Sequence, residues 1–318
     1  MRHPILCLAA PADRTPPSRM TSPPTTRPRA PRAPAPFRVA EQLRVTGAGM
    51  RQLLAEFRDA RRRSPAPPRP PAEGEIRIAS WNLHKCVGTD GRFDPHRSAA
   101  VIAELGADLV ALQEADRRFG RRTGLLDPRL LEEKAGLVPL PVSDIADGHG
   151  WHGNAILVRP GTRARLSRLA LPGAEPRGAV VADLDLPAGP LRLVAAHFGL
   201  LPRCRRRQSA AILAALAEAP PMPPVLCGDL NEWNPGEKSS LRPLAPLFGN
   251  VNGGPASFPT RLPVLPLDRI LAAPLGLVSD VEVHDSPLAR IASDHLPLTA
   301  RLHLAAIASR FAEARAAA

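Results

Sequence analysis

The 318-residue chain has no tyrosine, and aromatic residues make up only 3% of it. Its four cysteines include no CxxC pair, which makes a disulfide framework or a structural zinc site improbable. We therefore expect isolated thiols in a reducing, cytoplasmic environment. No apolar run approaches the roughly 20 residues of a membrane-spanning helix. The apolar stretch at residues 4–10 is short and begins with proline, so it is a poor secretory signal.

Acidic residues are scarce in the first quarter of the chain, residues 1–72, which we call the leader. It contains 14 Arg, no Lys and four acidic residues, a net charge of +10 out of +12 for the whole sequence. Such a basic segment favours nucleic acid or an anionic membrane surface as a partner. The remaining residues carry a net charge of only +2, so this inference applies to the leader alone.

The leader divides into three parts. Residues 1–36 are rich in Pro and Arg and are expected to be disordered, because they bury too little apolar surface to offset chain entropy. A weak helical periodicity over residues 37–63 predicts an amphipathic helix, which either binds an anionic membrane or is a frayed segment without a role. Gly47 and Gly49 each weaken a helix by roughly 1 kcal/mol and favour the second interpretation. Residues 64–72 form a Pro-rich linker.

Residues 73–305 are predicted to fold, and residues 306–318 form an Ala-rich tail. Short apolar runs typical of strands outnumber the helical segments, and many begin or end on a polar dipeptide. This pattern predicts an α+β layered domain whose chemistry lies at strand ends. Strands are expected at 75–80, 108–112, 154–159, 179–184, 191–196, 224–227, 267–271, 278–283 and 295–302, and helices at 95–105 and 203–218.

Six polar clusters follow, precede or interrupt these apolar runs. An unpaired charge buried at such a place costs several kcal/mol, so each cluster needs partners. Six of them in one domain indicate a shared site rather than six separate strand caps. The clusters are Ser80-Trp81-Asn82, Leu112-Gln113-Glu114, Ala196-His197, Gly228-Asp229-Leu230-Asn231, Leu267-Asp268-Arg269-Ile270 and Ser293-Asp294-His295.

The residue types in the clusters are those of phosphoester hydrolysis. Glu114, Asp229 and Asp294 offer hard oxygen ligands, which suit Mg²⁺ or Mn²⁺ better than zinc. Asn82 and Asn231 can hydrogen-bond phosphate oxygens or an attacking water without adding negative charge. The histidine of the last cluster, with an aspartate upstream to hold its ring, provides a positioned imidazole for proton transfer. Together these groups predict metal-assisted hydrolysis of a phosphate ester.

In this order, the six clusters resemble the endonuclease/exonuclease/phosphatase superfamily, which includes pancreatic-type DNases, exonuclease III-like repair nucleases, neutral sphingomyelinases and inositol polyphosphate 5-phosphatases. A single Gly-Asp-Leu-Asn or Ser-Asp-His motif is weak evidence for the superfamily. Six clusters in the same order over roughly 75–303 are specific evidence for it. The resemblance implies the DNase I-like fold, a four-layer α/β/β/α sandwich, and a Mg²⁺ or Mn²⁺ cofactor.

The resemblance also implies a role for each residue. Glu114 would be the principal metal ligand, supported by Asn82 and Asp294. His295 would be the acid/base residue, with its ring fixed by Asp268.

The remaining positions would act directly on the reacting phosphate. Asp229 and Asn231 would orient the attacking water and a phosphoryl oxygen. His197 would donate to a non-bridging oxygen. Cleavage would be an in-line attack by water, without a covalent enzyme intermediate.

Two departures argue against an abasic-site repair nuclease. Such enzymes generally have Tyr where this chain has His197, and they follow the first Asn with Gly or Arg rather than with Leu83-His84-Lys85. Other sequence segments resemble a little-characterised bacterial branch of the superfamily, whose members are hypothetical metal-dependent hydrolases. Some of these are encoded beside a cardiolipin synthase, and this association favours a lipid-related phosphodiester as the substrate. These segments are residues 151–157, 176–178, 197–200 and 257–259.

Five further residues are candidates for substrate binding. His152 and Asn154 precede a predicted strand, where they either contact substrate or make turn contacts. Arg117 and Arg118 follow the second cluster in a loop that either binds an anionic group or is solvated. Arg177 precedes a strand and could reach a phosphate.

Three hypotheses follow. The first is a metal-dependent phosphodiesterase or phosphatase acting on a small or lipid-linked phosphoester, as a monomer that is cytoplasmic or peripheral on a membrane. The second is a DNA or RNA nuclease that uses the leader as a tether. The third is a non-catalytic binding scaffold, which is weak because no catalytic position in the pattern is replaced.

Overall fold

The computed structural model describes residues 75–117, 120–305 and 307. The predictions for the leader segments 1–36, 37–63 and 64–72, for Arg118, and for the tail apart from residue 307 lie outside the described residues.

A six-stranded mixed sheet contains both the first and the last strand of the domain. Its strands are β1 (Ile76–Asn82), β2 (Leu109–Gln113), β3 (Val138–Pro139), β4 (Ala155–Val158), β10 (Val278–Val283) and β11 (Leu298–Leu302). They are ordered β10-β11-β1-β2-β4-β3. The central strand β1 is buried along its whole length and pairs in parallel with β2 and antiparallel with β11.

A second sheet has five strands arranged in chain order. They are β5 (Arg163–Leu171), β6 (Arg177–Leu186), β7 (Gly189–His197), β8 (Pro224–Asp229) and β9 (Asp268–Ala272). Only the β7–β8 pair is parallel among them. A parallel pair needs a long crossover connection, and the helix between these two strands provides it.

Helices cover the outer faces of both sheets. They are α1 (Pro95–Glu104), α2 (Pro128–Ala135), α3 (Pro202–Glu218), α4 (Ala245–Phe248) and α5 (Ala289–Ala292). One apolar cluster, including Ile78 and Leu193, fills the space between the two sheets. A second packs α1, α2 and α5 on the first sheet, and a third packs α3 and α4 on the second. These layers confirm the predicted α/β/β/α sandwich.

Local signals explain where the first two helices begin. The Asp94 carboxylate accepts a hydrogen bond from Arg97 N at 2.9 Å, and Pro95 occupies the first helical position. Asp127 caps α2 in the same way, with Pro128 after it. Side-chain caps and an N-terminal proline satisfy or remove N–H groups that lack partners inside a helix.

The predicted strands and helices need several corrections. The last strand begins at Leu298 instead of His295, because the cluster at 293–295 forms the loop before it. The sequence analysis did not predict β3, β5, α2, α4 or α5. In the edge strand β5, exposed arginines alternate with apolar side chains only over residues 163–166, and the consecutive exposed residues Ser167 and Arg168 then break the period of two. Within the described residues, no helix combines the length and apolarity that crossing a membrane requires.

Candidate active site

Three of the predicted residues lie side by side at one edge of the second sheet. His197 at the end of β7 is opposite Asp229 at the end of β8, and Asp229 is opposite Asp268 at the start of β9. All three side chains are buried. The parallel pairing of β7 and β8 brings their carboxyl ends to the same edge, and the antiparallel β9 begins there. Residues separated by up to 71 positions thus become neighbours.

The same edge of the first sheet carries the other clusters. Asn82 at the end of β1 is opposite Gln113 at the end of β2, and Glu114 follows immediately. The loop at 293–295 reaches this edge because β11 runs antiparallel to β1. Two hydrogen bonds fix the loop: Ser293 Oγ donates to the Asn82 carbonyl at 2.7 Å, and Trp81 Nε1 donates to the His295 carbonyl at 2.9 Å.

Asp229 is the centre at which the two sheets meet. Its Oδ1 accepts a hydrogen bond from Asn231 N at 3.0 Å, and its Oδ2 accepts one from Asn82 Nδ2 at 3.0 Å. The same Oδ2 lies 3.3 Å from His197 Nε2 and 3.8 Å from His295 Nε2. Burial raises the pKa of Asp229 to about 6, although His295 opposes the shift. The carboxylate therefore predominates at neutral pH, surrounded by donors.

His295 lies between two carboxylates. Its Nδ1 is 2.9 Å from Asp268 Oδ2, which also accepts a hydrogen bond from Ser257 Oγ. Burial disfavours charge on the imidazole, but Asp268 and Asp229 outweigh it and raise the pKa of His295 to about 10. The ring is therefore protonated at neutral pH. The Phe258 ring packs against it, with the ring centroids 4.8 Å apart.

Glu114 faces a cation that the sequence analysis did not include among the site residues. The Lys85 ammonium group contacts the Glu114 carboxylate. His84, Lys85 and Cys86 have φ values of 45°, 58° and 58°, a left-handed backbone that costs a non-glycine residue about 1–2 kcal/mol. Such strain often accompanies functional sites. The available signal was the basic residue three positions after Asn82.

Two more of the predicted site residues, Asn231 and Asp294, differ in how they contact the rest of the site. Asn231 has a φ of 51° and donates from Nδ2 to the Phe198 carbonyl at 2.9 Å, which ties it to the loop after His197. The Asp294 side chain is 37% exposed, and its Oδ1 lies 3.9 Å from His84 Nδ1. Asp294 therefore lies on the solvent-facing side of the site.

The candidate substrate residues differ in their burial and in their contacts. Asn154 is fully buried, and its amide donates to the Gly178 carbonyl at 2.9 Å. His152 Nδ1 is 3.0 Å from the Pro176 carbonyl oxygen. Arg117 is exposed in the loop after β2. Arg177 is largely buried and contacts His197.

A small cleft contains some of the cluster residues together with some of the candidate substrate residues. It is lined by Glu114 and His197 from the clusters and by His152 and Arg177 from the candidate substrate residues. The other lining residues are Lys85, Asp116, Arg122, Gly153 and Pro176.

Two sets of side chains could hold a divalent ion. Among the described residues, Asp229, Asp268 and His295 form one group whose possible ligand atoms lie within 4.8 Å of one another. Glu114 is the other place, since its carboxylate is partly exposed and lines the cleft. Carboxylate oxygens are the ligands that Mg²⁺ and Mn²⁺ prefer, so the donor chemistry fits such an ion.

Residues 79–295 match the sequence model of the Endonuclease/Exonuclease/phosphatase family, and the chain belongs to this family. Members of the family are phosphoester hydrolases that generally use a divalent metal. No curated protein matches the chain.

Several solved structures share the fold of this chain. An endonuclease/exonuclease/phosphatase from Beutenbergia cavernae DSM 12333 is 25% identical, with a TM-score of 0.54, over 72% of this chain and 71% of that one. A humanized TDP2 of D. rerio is 18% identical, with a TM-score of 0.52, over 72% of this chain and 99% of that one. The human Nocturnin catalytic domain is 18% identical, with a TM-score of 0.51, over 72% of this chain and 94% of that one. The last two likenesses concern the fold.

Proposed function

We propose that the chain is a divalent-metal-dependent phosphoesterase that hydrolyses a small or lipid-linked phosphoester by in-line attack of water. The observation that carries this proposal is the convergence on Asp229 Oδ2, a buried carboxylate oxygen that has Asn82, His197 and His295 around it. The side chains come from both sheets and are fixed before a substrate arrives, which is the condition for electrostatic stabilisation of a transition state.

Asp229 is the residue that orients the attacking water. Its pKa of about 6 leaves it ionised at neutral pH, so it can accept a proton or a hydrogen bond from water. Asn231 fixes one carboxylate oxygen through its backbone N–H. The protonated His295 ring, held by Asp268, balances the negative charge that Asp229 and a phosphate group bring together and can supply a proton to the leaving oxygen.

Glu114, with Asn82 and Asp294, would hold the metal ion. When bound, a divalent ion would supply positive charge to the phosphoryl oxygens. The group of Asp229, Asp268 and His295 suits this role less, because Asp268 Oδ2 already accepts hydrogen bonds from the His295 ring and from a serine hydroxyl. Its atoms are better suited to hold and move a proton.

The charge distribution favours a small or lipid-linked substrate. Residues 73–318 carry a net charge of only +2, whereas grasping a nucleic-acid duplex requires many phosphate contacts and a basic face. We propose a monomeric enzyme of the cytoplasm, and the basic leader favours its location at an anionic membrane surface. A nuclease that uses the leader as a tether is the second candidate, supported by the net charge of +10 in residues 1–72.

The test of the reaction class is hydrolysis of bis-p-nitrophenyl phosphate with Mn²⁺ by the full chain. Asp229→Asn and His295→Gln should each lower kcat by about 10²–10⁴, and EDTA should abolish turnover. His284→Gln is the matched control, because His284 also pairs with a carboxylate, that of Glu104 at 3.0 Å, but outside the site. Wild-type rates in both site variants would disprove the assignment.

A second measurement separates the two candidates. Deletion of residues 1–72 removes a net charge of +10. A nuclease should then lose salt-sensitive binding to DNA or RNA, while an enzyme for small phosphoesters should retain its turnover of bis-p-nitrophenyl phosphate.

A further inference from the structure

The two histidines beside Asp229 have opposite kinds of partner at Nδ1. His295 Nδ1 faces the Asp268 carboxylate, whereas His197 Nδ1 lies 2.9 Å from Arg177 Nη1. A guanidinium group has five N–H donors, no acceptor, and stays protonated in proteins. The Arg177–His197 hydrogen bond can therefore form only if His197 Nδ1 accepts it.

This constraint determines where the His197 proton lies. A neutral imidazole that accepts at Nδ1 carries its hydrogen on Nε2. His197 Nε2 is 3.3 Å from Asp229 Oδ2, so its N–H points to the carboxylate around which the site is built. Protonation of Nδ1 would break the hydrogen bond and place a second N–H against the guanidinium.

Arg177 is itself held in place from the opposite side. Its Nε donates to Glu175 Oε2 at 3.0 Å, and its Nη2 lies 2.7 Å from the same oxygen. The other oxygen of Glu175 accepts from Leu200 N at 2.8 Å, in the loop after His197. All three Arg177 nitrogens thus have protein partners, and the side chain is only 10% exposed. These contacts suit a support better than a group that captures substrate.

We infer that Arg177 is a positioning residue that keeps His197 in its neutral Nε2–H tautomer, so that His197 serves as a hydrogen-bond donor and not as a proton source. The inference deepens the proposed function and rests on it for the role of the donor, which is to hold the Asp229 carboxylate that orients the attacking water. The tautomer follows from the Arg177 contact alone. β6 pairs with β7 as far as Ala179 and Ala196, so Arg177 lies two residues beyond the last paired position, with Gly178 between.

The direct test is the ¹⁵N NMR spectrum of the full chain labelled at histidine, with His197 assigned from the signal lost in His197→Gln. In wild type, Nδ1 should resonate as an unprotonated acceptor and Nε2 as a protonated nitrogen between pH 6 and 8. In Arg177→Met this preference should be lost, while Arg177→Lys, which still offers a donor, should retain it. A wild-type ring protonated at Nδ1 would overturn the inference, whatever the activity.

Kinetics with bis-p-nitrophenyl phosphate then separate positioning from substrate binding. Arg177→Met should lower kcat by about a hundredfold with KM nearly unchanged, and Arg177→Lys should recover most of that loss. An increase of KM at constant kcat would make Arg177 a substrate ligand instead. Equal rates in the Lys and Met variants would reduce it to a packing residue.

Arg192→Met is the matched control for loss of a buried arginine. Arg192 lies on the neighbouring strand β7, pairs with Asp183 at 2.6 Å and is buried, but it is at the opposite end of the strand from His197. Its replacement should leave both kcat and the His197 spectrum unchanged. If wild type hydrolyses no phosphoester while the NMR result stands, the proposed function fails and the tautomer assignment does not.

Discussion

The site has a buried half and an open half, which differ in how completely the protein satisfies them. The buried half consists of His197, Asp229, Asp268 and His295, and all four side chains are 6% exposed or less. The open half consists of Lys85, Glu114 and Asp294, whose side chains are 36%, 17% and 37% exposed. Each buried side chain has a hydrogen-bond or charge partner, whereas the open half is held mainly by one ion pair.

The contrast matches a division of labour. Proton transfer and charge stabilisation require groups that are positioned in advance and shielded from water, because electrostatic interactions are stronger there. An ion and a substrate must enter from solvent, and their binding groups must exchange partners when they do. We therefore expect substitutions in the buried half to change kcat and the protonation of the site. Substitutions in the open half should change metal binding.

The largest expected effect tests which half binds the metal. Glu114→Gln should weaken Mn²⁺ binding by at least about a hundredfold, since losses of 10–100-fold already follow from changes around metal ligands. Asp268→Asn should change the affinity by less than about threefold, because its amide oxygen can still accept a hydrogen bond from His295. Titration of the full chain with Mn²⁺, followed by electron paramagnetic resonance, gives both dissociation constants.

Glu104→Gln provides the control for loss of a carboxylate outside the site, where Glu104 pairs with His284. If Asp268→Asn abolished binding and Glu114→Gln retained it, the metal would belong to the group of Asp229, Asp268 and His295. The proposed division between the two halves would then be wrong.

The sequence analysis named all four residues of the buried half but left Lys85 out of the open half, and the reason is geometric. Parallel pairing and strand ends determine which residues meet at a sheet edge, so apolar runs that end on polar residues were enough to bring His197, Asp229 and Asp268 together. The four-layer fold followed from a resemblance carried by the same positions. The edge strand β5 was missed because two consecutive exposed residues, Ser167 and Arg168, interrupt its alternation.

The contacts that depend on side-chain direction were not predictable in this way. Lys85 reaches Glu114 through three consecutive left-handed residues, and only glycine, or occasionally Asn or Asp, signals such a backbone in a sequence. Arg177 was considered as a possible phosphate ligand, but periodicity does not report whether a side chain turns toward solvent or across to the next strand. Its contact with His197 required coordinates.

A smaller effect concerns the pH dependence of stability, which reports on the buried half. The pKa of His295 is raised to about 10 from an ordinary value of 6.5. A raised pKa contributes stability that is fully present below the unfolded value and is lost as the pH rises through the folded value. In EDTA, the free energy of unfolding of wild type should therefore fall between pH 7 and 10, by at most about 1.4 kcal/mol per pH unit from this residue.

His295→Gln supplies the comparison for this measurement. Ionisation of the buried thiols Cys86 and Cys227, whose pKa values burial raises to about 11 and about 12, also reduces stability at high pH, but it does so in both proteins. The difference between the two urea-denaturation series isolates His295. Parallel curves for wild type and variant from pH 7 to 10 would show that the ring is neutral in the folded protein.

The smallest expected effect comes from Lys85 in the open half. Its ammonium group contacts the Glu114 carboxylate and is partly exposed, so an incoming divalent ion must compete with it for the same oxygens and approach a like charge. Lys85→Met keeps most of the side-chain volume and removes the charge. Mn²⁺ should then bind about fivefold more tightly, which corresponds to the ~1 kcal/mol expected for a partly exposed ion pair.

The competition also predicts a dependence on salt. The advantage of Lys85→Met over wild type should shrink as ionic strength rises, because salt screens exposed charges, while Lys134→Met, which removes a lysine from the last turn of α2, should bind Mn²⁺ as wild type does. Weaker Mn²⁺ binding in Lys85→Met would mean that the lysine holds Glu114 in its binding position. The strained backbone at residues 84–86 would then serve the metal site by orienting its ligand, and the open half would be as preorganised as the buried one.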